Sequence, residues 1–393
     1  MRFRTLPVFL AFLAMGFGDA VGPFVGLAKN EFQLSNTVAT LIPFVGFSMF
    51  GLLSVPFGVF QDKRGKKLVL IMGLCVILAG LLNASFGLDS FARFLLTVLL
   101  VGAGAAILQV AGNPIMRDVS SPGKYSRNLS LGQFVKAIGS LSGPVIPVAA
   151  ARYFGASWKV IFPIYAGAIL ITLLAVAALR VERKEPEHKA ATLASCLALL
   201  KNGYVLAMVG AIFFYVGAEV SVSAGIPLYL KERFEMNMDV GVLGISLFFT
   251  ALTVGRLSGG AILNWVSPRK FFLLTCAVSV AGLLGLWIPS STLAAASLFF
   301  GIPARAFAGA SIFLAGLGFA NIFPLVFSLA VESLPERANE LSGLMVTAIV
   351  GGAFLPPLMG LAADHATVQI GFLVPLAAIL YVTGTAVANR KAA

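Results

Sequence analysis

Four ionisable side chains stand inside long apolar stretches of this 393-residue chain: Asp19 in GFGDAVGP, Lys136 in QFVKAIGS, Glu219 in GAEVS and Arg256 in VGRLSGG. A central Asp in a helix surrounded by lipid costs about 2.5–3.5 kcal/mol, so each such charge needs an answer. Lys136 is the cation expected to face Asp19, directly or through water or substrate. The alternatives are a protonated, neutral Asp19 and a Lys136 that extends its ammonium towards the membrane surface. Glu219 is expected to hydrogen-bond hydroxyls or to titrate, or else to be satisfied structurally by Tyr215 or Ser223. Arg256 reads as a strut or gate element between helices. The amides Gln109, Asn113, Gln133 and Asn321 add uncharged donors and acceptors. Hydrolytic or metal chemistry would need a different set. Cys75, Cys196 and Cys276 lack metal-ligand spacing, and His188 and His365 lie far apart in polar connections, so no metal is expected.

The elements that must position these groups are apolar helices. Hydrophobic residues make up 59% of the chain and charged residues only 11%, less than half the share of a soluble protein. Stretches long enough to cross about 30 Å of hydrocarbon are read at 6–28, 37–60, 68–87, 91–116, 128–151, 159–179, 202–229, 240–264, 270–289, 305–331, 340–363 and 368–389. The first is read as a retained span, since its apolar run continues past Asp19 without an evident cleavage site. The segment 290–304, broken by Pro303, is the least regular. Pro114, Pro144, Pro356 and Pro357 read as bends within spans. The spacing therefore predicts an all-α membrane protein of twelve transmembrane helices in two pseudo-symmetric six-helix bundles. The bundles are residues 1–179 and 202–393, joined by a charged linker over 180–201.

Basic residues set the orientation. With the N-terminus inside, 19 of the 28 Lys and Arg fall on the cytoplasmic side, seven on the other, and Lys136 and Arg256 within spans. This bias places both termini in the cytoplasm. It also accounts for the net charge of +12, so no nucleic-acid partner is needed. The halves repeat: GVFQDKRGKK ends the second helix and GAILNWVSPRK the eighth, an offset of 202 residues. Parallel six-helix repeats are a known transporter construction.

GVFQDKRGKK resembles the signature loop G-x-x-x-D-[RK]-x-G-[RK]-[RK] of the major facilitator superfamily, matching Gly58, Asp62, Lys63, Gly65, Lys66 and Lys67. The resemblance implies a conformational latch in which Asp62 meets a helix N-terminus of the other half. Gly58, Asp62, Lys63, Gly65 and Lys66 are its expected members, with Arg256 as a gate element. ILQVAGNP, QFVKAIGS, FFYVGAEVS, VGRLSGG, IFPLVFSLAVE and MVTAIVGGAFLPPLMGLAAD together resemble the fucose and glucose/galactose permease branch. Two departures stand out: Gln109 occupies a position where the fucose permease has glutamate, and Lys136 one where the branch has Asn.

That branch implies a monosaccharide substrate carried by alternating access across the inner (plasma) membrane, coupled to a proton or sodium ion, by a protein sufficient as a monomer within the lipid bilayer. Asp19, Lys136 and Glu219 are the expected coupling residues. Gln109, Asn113, Gln133, Glu219 and Asn321 are the expected hydroxyl ligands. Phe24, Tyr215, Tyr229 and Phe323 could stack on the sugar's apolar face. No organic cofactor is implied. A tight Asp19–Lys136 pair would suit facilitated diffusion instead. Gly139-x-x-x-Gly143-Pro144 resembles part of an antiporter motif of the superfamily, with Pro147-Val148 in place of the motif's following Gly-Gly, and leaves proton-coupled export as the other alternative. A membrane-embedded enzyme or receptor would need a nucleophile, a metal cluster or a sizeable soluble domain, none of which is visible.

Overall fold

The computed structural model describes residues 2–19, 27–28, 31–34, 38, 41–179, 192–236, 238–289, 292 and 303–391. Among these residues the regular structure is helical throughout. The chain runs through α1 (Arg2–Asp19), α2 (Leu41–Arg64), α3 (Lys66–Ser85), α4 (Phe91–Val119), α5 (Tyr125–Phe154) and α6 (Ile161–Ala178). A short linker helix (Leu193–Ala198) precedes α7 (Gly203–Phe234), α8 (Met238–Ile262), α9 (Pro268–Gly285), α10 (Ala304–Phe319), α11 (Ile322–Ser333), α12 (Ala338–Thr347), α13 (Gly351–His365) and α14 (Leu373–Lys391).

Local chemistry sets these boundaries. Gly65 separates α2 from α3 at φ +90°, a conformation that costs a glycine little. Ser90 caps α4 by accepting from the Arg93 amide, and Pro268 opens α9 where a missing N–H costs nothing. Thr192 and Ser195 form a reciprocal capping box that makes the six-residue linker helix possible.

Ten described segments are long and apolar enough to cross a membrane. Two of them, Ala304–Ser333 and Pro335–His365, join α10 to α11 and α12 to α13. The other two expected spans correspond to α1, whose apolar run Thr5–Gly18 is shorter, and to α5. The expected first span continues to residue 28, but 20–26 lie outside the described residues, as do most of 290–304 and the charged part of the linker, 180–191.

The helices divide into two compact units, Met1–Val205 with Ala330–Ala348, and Leu206–Leu329 with Ile349–Ala393. The first therefore includes the end of α11 and all of α12. Within it, α3 packs along α4, α1 against α4 and α5, and α12 against α2 and α4. In the second, α10 packs on α8 and α9, and α9 on α14. Small residues permit these approaches, as expected where lipid removes the hydrophobic drive between helices. A Cβ on Gly282 of α9 would strike the Ala315 backbone of α10. Leu52, Ile171, Leu174 and Leu358 stay exposed on the outer helix faces, the environment lipid tails satisfy.

Candidate functional site

In the first unit, α1 is wedged between α4 and α5 by glycines. A Cβ on Gly16 would collide with the Lys136 carbonyl, one on Gly139 with the Leu13 carbonyl, and one on Gly132 with the Phe12 ring. On the other side, Gly18 meets Ala105 and Gly112 meets Met15. These contacts fix which faces of α4 and α5 look at α1. Ala105, Gln109 and Gly112 form one i, i+4, i+7 row, and Gly132, Lys136 and Gly139 another. Gln109 and Lys136 thus occupy the rows that grip α1, and Asp19 ends α1 one residue after Gly18. The Asp19 side chain and the whole of Phe24 lie outside the described residues.

The polar side chains around this wedge are deeply buried: Gln109 is 1% exposed, Asn113 0%, Gln133 2% and Lys136 9%. Among the described residues, Gln109 Oε1, both amide atoms of Asn113, Gln133 Nε2 and Ser130 Oγ have no hydrogen-bond partner. Buried polar groups are ordinarily paired, so unused capacity of this density marks a place for water or a polar solute.

The second unit assembles its polar residues differently. Tyr215 and Glu219 stand four apart on α7, and the Tyr215 hydroxyl donates to Glu219 Oε2. Arg256 of α8 approaches Glu219 Oε1 at 3.8 Å and donates through Nε to the Ala320 carbonyl at 3.4 Å. Asn321 donates to the Gly255 carbonyl at 2.6 Å, leaving its own Oδ1 without a partner among the described residues. The Tyr215 ring lies 5.9 Å from that of Phe319 and 6.5 Å from that of Phe323. Tyr215, Glu219, Arg256, Asn321 and Phe323 are therefore neighbours. Tyr229 stands apart, its hydroxyl donating to the Leu286 carbonyl and its ring beneath Arg233.

The signature loop enters a third cluster, wholly within the first unit. Gly58 of α2 and Gly343 of α12 touch backbone to backbone, a Cβ on Gly58 falling 2.9 Å from the Gly343 Cα. Asn339, second residue of α12, donates to Asp62 Oδ1 at 3.0 Å. Lys66 pairs with Asp118 of α4 at 2.5 Å, whereas Lys63 is exposed. Arg256 belongs to the other unit, beside Glu219.

Several members of this cluster carry no motif and escape sequence reading. Gln61 donates to the Val110 carbonyl at 3.3 Å and to the Asn339 carbonyl at 3.0 Å. Arg117 donates to the Pro335 carbonyl at 3.2 Å. Glu340, 6% exposed, accepts from Arg337 at 2.5 Å and from Ser195 of the linker helix at 2.6 Å. Cys196 packs beside them, its thiol pKa pushed up to about 12 by burial and, secondarily, by the Glu340 charge. The only sequence signal is position: Gln61 directly precedes Asp62.

Membrane-length helices with charges and amides buried between them define a polytopic membrane protein. Residues 8–357 match the Major Facilitator Superfamily, and the chain belongs to that family. It is 28% identical over 379 residues to the glucose/galactose transporter of Brucella abortus, covering 90% of this chain and 86% of that one. It is 22% identical over 420 residues to the L-fucose-proton symporter of Haemophilus influenzae, covering 93% and 91%. Among solved structures, the transporter FucP in its outward conformation matches with a TM-score of 0.78 at 18% identity, over 98% of this chain and 99% of that one. That likeness establishes the fold. The relatives are transporters, and the chain is a membrane transporter rather than an enzyme.

Proposed function

We propose that this protein carries a hexose-like monosaccharide across the plasma membrane by alternating access, with both termini cytoplasmic and a cation, proton or sodium, coupled to the movement. The observation that carries the reading is the set of buried amide atoms around α1, Gln109 Oε1, both of Asn113 and Gln133 Nε2, that have no partner among the described residues. Sugar hydroxyls donate and accept in the pattern that such amides lack. The names of the relatives supply the substrate class. In the second unit, Glu219 and Asn321 add acceptors, and Tyr215 and Phe323 add aromatic surface for the apolar face of the ring.

Coupling is assigned to Asp19, with Lys136 as the cation that governs it. The support is backbone placement: Gly16 abuts the Lys136 carbonyl, and Asp19 follows one turn later on α1. Purified protein in proteoliposomes should accumulate labelled glucose, galactose or fucose above the external concentration under an imposed proton or sodium gradient. Uptake that only equilibrates would remove the coupling and leave a uniporter. Failure of all three sugars to enter or compete would remove the substrate class.

A further inference from the structure

The backbone of α4 holds a carbonyl that its own helix does not satisfy. In an α-helix the oxygen of residue 110 accepts from the N–H of residue 114, and here residue 114 is proline, with no N–H to give. Val110 is 0% exposed, and a buried carbonyl requires a partner. Two side chains from other helices supply one. Ser342 Oγ of α12 donates to Val110 O at 2.6 Å, and Gln61 Nε2 of α2 at 3.3 Å. Both donors are buried, Ser342 at 0% and Gln61 at 1% exposure.

The Ser342 bond is unusual for this molecule. A helical Ser or Thr hydroxyl commonly returns to a carbonyl three or four residues back. Ser54, Ser85, Thr172, Ser279, Ser311 and Thr347 all do so here. Ser342 instead reaches across to another helix. The residue after it, Gly343, lies against α2 with its Cβ position 2.8 Å from the Ser54 carbonyl, which brings α12 close enough for the hydroxyl to cross. Gln61 spans the same gap, holding the Val110 and Asn339 carbonyls with one amide nitrogen.

We propose that Pro114 strips the Val110 carbonyl of its helical donor so that Ser342 and Gln61 share it, making this oxygen the fastening point of α12 on α4. When α12 withdraws during transport, Gln61 alone keeps the carbonyl satisfied, so the fastening can open without stranding a buried acceptor. The movement of α12 rests on the alternating-access reading above; the shared carbonyl does not.

Cys196 provides a native reporter, since it is fully buried with its thiol 3.3 Å from the Glu340 carbonyl of α12. In full-length protein with Cys75→Ser and Cys276→Ser, it is the single thiol. Its rate of alkylation by a maleimide then follows release of α12. Ser342→Ala should speed alkylation by about 3- to 10-fold, the equilibrium weight of one buried neutral hydrogen bond. Pro114→Ala should act similarly, because the new N–H at 114 takes the carbonyl back into the helix. In that background Ser342→Ala should add nothing. If Ser342→Ala multiplies the rate equally with proline or alanine at 114, or leaves it unchanged in the native background, the proposal is overturned. Should Pro114→Ala fail to fold, Gln61→Leu replaces it: with Gln61 gone, Ser342→Ala must speed alkylation more than in the native background, and an equal effect overturns the sharing. None of these readouts needs a sugar, so loss of the sugar reading and loss of this one are separate results.

Discussion

The two units meet their buried polar groups in different ways. In the second, Glu219 is met from both sides, by the Tyr215 hydroxyl one helical turn away and by Arg256 from the adjoining helix, and Arg256 has a second contact at Ala320. In the first, the groups around α1 are more deeply buried, yet Gln109 Oε1, both amide atoms of Asn113 and Gln133 Nε2 have no partner among the described residues, whereas in the second cluster Asn321 Oδ1 alone is so left. A carboxylate met from two sides contributes to packing and is an already oriented acceptor. A cluster with spare capacity is poised for something that is not part of the chain. Most of the spare hydrogen-bonding capacity thus lies in the first unit, and the second holds an oriented carboxylate.

The largest expected effect tests the Glu219–Arg256 pair. Arg256→Met leaves Glu219 with Tyr215 as its remaining partner from this cluster, and breaking a buried pair on one side costs about 2–4 kcal/mol where, as here, both groups keep some exposure. Thermal unfolding in detergent should show the loss, and sugar uptake should fall by about 100-fold or more. Adding Glu219→Gln should recover much of the stability. A double variant no more stable than the single one would mean that Arg256 acts elsewhere.

Next in size is the charge in the first unit. Lys136→Asn should shift the pH dependence of uptake by about one unit or more, since a cation beside a carboxylate changes its proton affinity by that much. An unchanged profile would detach Lys136 from coupling and bring the two units closer in behaviour. Smaller again, and sharper, is Gln109→Leu. Replacing a buried amide whose oxygen has no partner among the described residues by an apolar side chain should leave the unfolding temperature unchanged or slightly raised, while KM for sugar rises about tenfold. Tyr215→Phe should do the reverse, lowering stability with a smaller change in KM. If both variants destabilise equally, the contrast between the units fails.

How much of this is legible in the sequence depends on whether a relation runs along the chain or across it. Helix lengths, the break at Gly65 and the signature loop follow from local composition, because lipid forces every backbone group to pair within its own helix. The Tyr215–Glu219 pair is visible as an i, i+4 spacing. The Arg256–Glu219 approach is not, because 37 positions separate the two and nothing in either helix names the other. Pro114 reads only as a bend. That it frees Val110 follows from its sequence position, but that Ser342 collects the freed oxygen depends on two glycines, Gly58 and Gly343, meeting face to face. Glu340 reads as an ordinary charge near a helix start until the linker helix is seen to cover it.

The smallest expected effect comes from a charge pair that solvent reaches, and it calibrates the others. Lys159 pairs with Glu31 at 2.6 Å, and Trp158 donates to the same carboxylate at 3.4 Å. The Lys159 ammonium holds the Glu31 carboxyl below the usual carboxylate range, against a smaller opposing effect of burial. A depressed folded-state pKa adds stability that is fully present above the unfolded value of about 4.3 and is lost as pH falls through the folded value. Glu31→Gln should therefore lower the unfolding temperature slightly at pH 7, by no more than about 1–2 °C because exposed pairs are screened. The difference from the unaltered protein should shrink as pH falls through the depressed folded value, since protonation leaves both with a neutral side chain at this position. A loss at pH 7 as large as that of Arg256→Met would show that exposure does not separate the two kinds of charge pair, and the weight given to burial in comparing the units would fall with it.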